Sequence, residues 1–348
     1  MKRSIVLVVL MAVILGTASL ATAEPPFRIA WSHYTGWEPW QLASEKGILK
    51  KWSDKFGITI DLVLINDYME SINLYTGGRF DGCSMTNMDA LTIPGVGGVD
   101  STALIVGDFS NGNDGIVMKN GSKVSDLKGR EVKLVELSVS HYLLARALSI
   151  EQMSERDLTL VNTSDSDIAA IFASDPNGVA VTWNPPLMQC RNVKGANLVF
   201  DSSGIPGEII DLMVVRTNVS DKLKKALVGA WFETMKLMSS QGKEGKEAIQ
   251  YMAKFAGGTE AEFRAQLRTT RMFYDAAEAA KFAEGPELQK TMDYVRNFCF
   301  DHGLFGQGAK SKDHVGIQFP DKSVMGDKNN VKLRFDSTYM RMATENKL

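Results

Sequence analysis

From Phe27 to Val215 the chain repeats one unit, a short apolar run of strand length followed by a turn and then a stretch of helical period. Strands that alternate with helices at this spacing form βαβ units, because a parallel partner strand is reached only by a crossover. Strands are expected at Phe27–Ala30, Ile58–Ile65, Phe80–Met85 and Thr102–Val106, with helices over Gln41–Lys46, from Tyr68 to about Tyr75, and beginning at Ala90 through Ile93. Asp108–Gly115, rich in glycine and asparagine, interrupts the pattern as a crossing. It resumes with strands at Glu131–Glu136, Leu158–Thr163, Val179–Thr182 and Leu198–Phe200, and helices at Ser140–Ile150, Ile168–Ala173 and after Pro185-Pro186. Gly204–Gly207 is a second candidate crossing, followed by a strand at Ile209–Val215. One alternation broken twice predicts two α/β lobes, each a mostly parallel sheet flanked by helices, joined by two hinge crossings.

Beyond Asp221 the period changes. Leu223–Met238, Lys246–Phe255, Glu260–Phe273 and Glu287–Phe300 are amphipathic at helical spacing, and the tail from Gly306 is polar without clear period. Helices with no strands between them must pack onto something already built. The expected division is residues 24–110 with 208–348 in lobe 1 and residues 111–207 in lobe 2.

The first 23 residues read as a secretory signal peptide: Lys2 and Arg3, then the apolar run Ile5–Leu15, then Ala21-Thr22-Ala23 as the cleavage site before Glu24. The apolar run is too short to span a bilayer. An exported, periplasmic protein of about 325 residues is expected, long enough for two lobes. Removing Lys2 and Arg3 takes the net charge from -2 to about -4, and no basic block suggests nucleic acid or anionic lipid as partner. Cys83, Cys190 and Cys299 are read as buried thiols, with a Cys190–Cys299 bridge as the alternative. His33, His141, His302 and His314 have no metal-ligand spacing, so no metal and no cofactor is expected.

Trp31-Ser-His-Tyr-Thr-Gly-Trp-Glu-Pro-Trp40 puts three tryptophans, a histidine, a tyrosine and a carboxylate into one loop between a strand and a helix. Open α/β sheets place ligands in such loops, at the carboxyl ends of strands. Trp31 and Trp37 are candidates for a ligand wall and Trp183 for the opposite one, whereas Trp40, Trp52 and Trp231 fit packing positions. His33 and Tyr34 are read as cover for the loop as readily as ligand contacts.

Among the acids expected at strand ends, Asp67 and Asp89 suit helix caps as well as a ligand, and Glu208 and Asp211 suit pairing with a hinge Arg or Lys. Glu136 follows Val132–Val135 directly, where a carboxylate would be partly buried without a partner. Asn87, Ser138, His141 and Asn184 complete the candidate ligand-binding set as orienting groups. Ser138 and His141 invite a nucleophile reading, but they share one opening helical turn and no G-x-S-x-G elbow occurs, so no catalytic residue is assigned.

Thr76-Gly-Gly-Arg-Phe-Asp-Gly-Cys83 and Ser138-Val-Ser-His-Tyr-Leu-Leu144 resemble the type II periplasmic substrate-binding proteins of the nitrate, sulfonate, taurine and thiamine-precursor group. More closely, Ile65-Asn-Asp-Tyr-Met-Glu-Ser-Ile72, Met85-Thr-Asn-Met-Asp-Ala-Leu91, Val135-Glu-Leu-Ser-Val-Ser-His141 and Gly207-Glu-Ile-Ile-Asp-Leu-Met213 resemble the subgroup described as the binding protein of the urea carboxylase region. The resemblance implies a two-lobed binding protein, expected as a monomer, that closes on one small ligand and delivers it to the membrane permease of an ABC importer. It implies guanidine or urea as that ligand, and the return of the late helices to the first lobe. Acids beside tryptophans favour guanidinium, a planar cation that pairs with carboxylates in bidentate fashion and stacks on aromatic faces. Urea is the alternative; a sulfonate would want basic residues or helix N-termini, and none of the expected strand ends carries Arg or Lys.

Overall fold

The computed structural model describes residues 25–348, and the expected signal peptide lies outside the described residues. Fourteen strands form two sheets. The first sheet contains β1 (Phe27–Trp31), β2 (Ile60–Leu64), β3 (Gly82–Thr86), β4 (Ser101–Ser110), β10 (Ile210–Arg216), β11 (Thr270–Met272), β12 (Gly316–Gln318), β13 (Val324–Met325) and β14 (Val331–Phe335). The second contains β5 (Asp114–Lys119), β6 (Glu131–Leu134), β7 (Thr159–Asn162), β8 (Val179–Trp183) and β9 (Ala196–Asp201).

In the first sheet the order is β13-β12-β14-β4-β10-β3-β1-β2, with β11 on the end of β4. β1 runs parallel to β2 and β3, and β10 runs antiparallel between β3 and β4. The second sheet repeats the device on a smaller scale: its order is β7-β6-β8-β5-β9, with β6 parallel to β7 and β8 while β5 runs antiparallel to β8. In each sheet the reversed strand therefore begins where its neighbour ends. Asp211 at the start of β10 pairs with Thr86 at the end of β3, and Asp114 at the start of β5 pairs with Trp183 at the end of β8.

Helices cover both sheets, so central strands such as β3 and β8 are buried along their whole length and read as unbroken runs rather than alternating ones. Local chemistry starts the helices that matter for the site. Asp67 accepts from the Glu70 amide to cap Tyr68–Thr76, and Ser138 accepts from the Ser140 amide to cap Val139–Ile150. The helix Asp221–Met238 lies against Ile48–Phe56 and buries Trp231, whose ring centroid is 4.9 Å from that of Trp40. Cys83, Cys190 and Cys299 are buried free thiols.

Several sequence expectations are corrected. The crossing expected over Asp108–Gly115 is shorter than that stretch: β4 continues to Ser110 and β5 starts at Asp114, so residues 111–113 connect the two sheets there. Glu260–Phe273 is not one helix. It stops at Arg268, the β-branched pair Thr269-Thr270 turns the chain, and β11 pairs with β4. The late region also holds a helix at Ala276–Glu284, and the polar tail supplies β12, β13, β14 and the helix Thr338–Thr344. These tail strands are short and sit at a sheet edge, where little apolar patterning is needed.

Candidate functional site

The carboxyl ends of β1, β3 and β8 and the starts of β5 and β10 converge on a cavity of about 10 Å³ lined by Tyr34, Trp37, Tyr68, Thr86, Asp114, Val139, Trp183, Ile209 and Asp211. Both sheets contribute walls. Tyr34 and Trp37 come from the aromatic turn after β1, Tyr68 opens its helix, and Trp183 closes from the second sheet. The rings form a chain, with centroids 5.0 Å apart for Tyr34 and Trp37, 5.5 Å for Trp37 and Tyr68, and 5.4 Å for Tyr68 and Trp183. The Trp183 indole N–H donates to the His33 carbonyl at 3.3 Å, tying the two walls together.

Four buried aspartates surround this aromatic box. Asp114 and Asp211 line it directly. Asp108 stands behind them, accepting from the Tyr34 hydroxyl at 2.9 Å, and Asp89 stands behind Tyr68 and Thr86, accepting from their hydroxyls at 2.7 and 2.9 Å. Burial pushes every one of these carboxyls up: Asp89 to about 6, Asp108 and Asp114 to about 7, and Asp211 well above the carboxylate range, with the charge of Asp108 adding to its burial. Oδ1 of Asp89 and Oδ2 of both Asp108 and Asp211 accept no hydrogen bond among the described residues. No Lys, Arg or His among the described residues pairs with any of the four. Two unit charges 4 Å apart interact by about 4 kcal/mol at an effective dielectric of 20, so a monocation entering this box gains from each carboxylate it meets.

The structure distributes the candidates read from the sequence over three places. Trp37, Trp183 and Asp211 line the cavity and Asp89 stands one residue behind it. Three others hold the walls in position. Asn87 accepts from the Ile210 amide and donates to the Glu208 carbonyl, Ser138 donates to the Val135 carbonyl, and Asn184 bonds Asn113 and the Met188 amide. Trp31 is buried against His33 and Phe255, with centroids at 5.8 and 6.1 Å, and does not line the cavity. Glu136 lies half-buried past the end of β6, also outside the lining.

Glu208 and His141 belong to contacts that close one side of the molecule on the other. Glu208 receives two bonds from Arg146 at 2.8 Å and one from Tyr142 at 2.5 Å. His141 and His302 grip the two oxygens of Glu155 at 2.5 and 2.9 Å. Burial alone would raise the Glu155 carboxyl, but the two histidines outweigh it and bring it to about 2, while the Glu155 bond raises His302.

Sequence reasoning missed Tyr68, Asp108 and Asp114 and left Tyr34, read as cover or ligand contact, out of the candidate set. Asp108 and Asp114 were hidden because they flank a Gly/Asn-rich turn and so read as loop residues. Their signal is position: each is a lone acid at the end of an apolar run.

No family model and no curated protein sequence matches the chain. Solved structures do. The alkanesulfonate-binding protein SsuA of Xanthomonas axonopodis pv. citri, bound to MOPS, aligns with a TM-score of 0.65 and 16% identity over 82% of this chain and 96% of that one. The periplasmic aliphatic sulphonate-binding protein SsuA of Escherichia coli gives 0.62 and 19% over 83% and 96%. The periplasmic nitrate-binding protein NrtA of Synechocystis PCC 6803 gives 0.58 and 12% over 91% and 97%. The chain has the two-lobed periplasmic-binding-protein fold.

Proposed function

We propose that this chain is a periplasmic solute-binding protein of an ABC importer, and that it closes on guanidinium and hands it to a membrane permease. The first half of the proposal is supported by the fold, which is that of proteins named for binding sulfonates and nitrate. The second is carried by one observation: a small aromatic box holds buried carboxyl groups whose oxygens lack donors, and no cation among the described residues answers them.

An unpaired charge is costly to bury, and burying it beside like charges is worse. A ligand that is cationic, planar and rich in N–H groups removes that cost and also stacks on Trp37 or Trp183. A sulfonate or nitrate has the wrong sign for this cavity, whose lining contains no Lys, Arg or His. Among the described residues no group of His, Cys, Asp or Glu has the arrangement of a metal site. The Ser138 hydroxyl is engaged with the Val135 carbonyl and His141 with Glu155, so neither is set up as nucleophile and base.

Urea remains the second reading, because Asp114 and Asp211 in their protonated or ionised forms can also bond a planar amide. Calorimetric titration of the mature protein with guanidinium at sub-denaturing concentration, with urea and taurine as comparisons, tests the proposal. Guanidinium alone is expected to bind. Binding of urea alone would overturn the charge argument, and binding of taurine alone would overturn the cation reading altogether.

A further inference from the structure

Asp211 in the wall of the cavity has a second acid, Asp108, directly behind it. Asp108 on β4 and Asp211 on β10 occupy paired positions on adjacent antiparallel strands. As a cross-strand pair their side chains leave the same face of the sheet, with Cβ atoms about 5 Å apart, and both are buried. Two carboxylates offer only acceptors, so a bond between them requires a proton on one. The only protein donor to the pair among the described residues is the Tyr34 hydroxyl, on Asp108 Oδ1, which leaves Oδ2 of each carboxyl without a donor. Gly36 packs against the pair so closely that a methyl at that position would collide with Asp108 Oδ2 and the Tyr34 ring.

We infer that Asp108 and Asp211 share a proton in the ligand-free protein and that the incoming cation takes its place, so that capture exchanges one proton for one guanidinium. The inference rests on the cation reading of the cavity given above. In the exchange the O–H bond of the pair breaks, its electrons stay on the carboxylate, and the proton passes to the buffer. The other groups that face the pair are Asp114 from β5 and Tyr274 after β11, and neither is a cation. Asp89 faces Asp114 from across the box. Arg271, on β11 beside β4, is exposed and pairs with Glu278 instead. The pair therefore has two states of equal net charge, one closed by a proton and one by a ligand. Neutral urea would leave the proton where it is, which makes the pair a sensor of ligand charge rather than ligand shape.

The test is calorimetry of the full mature protein with guanidinium chloride at pH 8, in phosphate and in Tris, whose different heats of protonation report the protons released. Release of about one proton per guanidinium is expected, by the linkage of binding to protonation. The release should vanish in Asp211→Asn and persist in Glu136→Gln, a variant outside the lining. Guanidinium binding without proton release, or with release unchanged in Asp211→Asn, overturns the exchange and leaves the cation reading standing. Absence of guanidinium binding overturns the cation reading itself, and this inference with it. If Asp211→Asn fails to fold, the wild-type heats alone decide, because zero release overturns the exchange and about one proton supports it.

Discussion

Two groups of buried acids in this molecule have opposite surroundings. Glu208 and Glu155 are each answered by the protein, one by Arg146 and Tyr142 and the other by His141 and His302. Asp108, Asp114 and Asp211 are answered by a tyrosine, a serine and one another. The result shows in their acidity: Glu155 is held down at about 2, whereas the cavity acids are pushed up to about 7 and beyond. The first group stabilises the closed arrangement from inside. The second is buried with no cationic partner among the described residues.

That contrast can be broken most sharply by neutralising one acid of each kind. Asp114→Asn is expected to weaken guanidinium binding by 100-fold or more, about 3 kcal/mol, while making the ligand-free protein more resistant to urea denaturation. A variant that lost both affinity and stability would show Asp114 to be structural. Glu155→Gln should act in the reverse direction, lowering stability by about 2 kcal/mol, less than a fully buried pair because Glu155 retains 26% exposure. Equal stability of wild type and Glu155→Gln would deny the latch any energetic role.

Acidity offers a test without mutation. The cavity acids have folded-state pKa values above their unfolded values, so the folded protein binds more protons and its stability from these groups is full below about pH 4 and is lost as pH rises through about 7. His302, also raised, acts in the same sense. Thermal unfolding of the ligand-free protein should therefore occur at higher temperature at pH 5 than at pH 8, and saturating guanidinium should shrink the difference. A ligand-free protein more stable at pH 8 would contradict the buried-charge account.

Smaller effects sharpen the picture. Trp183→Leu should weaken guanidinium binding by about 0.5–2 kcal/mol through the loss of one aromatic face, read by titration. Glu136→Gln, at a half-buried position outside the lining, should change affinity by less than about 0.5 kcal/mol. A large loss in that variant would move the main carboxylate to the end of β6.

The alternation of strands and helices was legible because central parallel strands are continuous apolar runs and their helices carry a second period. The aromatic turn after β1 stood out by its density of rings, of which Tyr34 and Trp37 line the cavity while Trp31 and Trp40 pack against Phe255 and Trp231. Charge was legible only in kind. Glu136 drew attention because it ends a strand, yet what decides its role is the direction in which the chain leaves β6. Glu208 could be read as a ligand group or as the partner of a hinge Arg or Lys, and Arg146, 62 residues away in sequence, is that partner. Asp108 and Asp211 acquire their meaning only from the register of β4 against β10, a pairing of residues far apart in the chain that no local pattern encodes.

The aromatic lining also gives the molecule an optical readout. Of its six tryptophans, Trp37 and Trp183 line the cavity, and the Trp37 indole N–H has no acceptor among the described residues. An indole reports the electric field along its ring in the wavelength of its emission. A positive charge arriving beside these two rings shifts that field at once, so occupancy can be followed in the unlabelled protein on the timescale of closure itself.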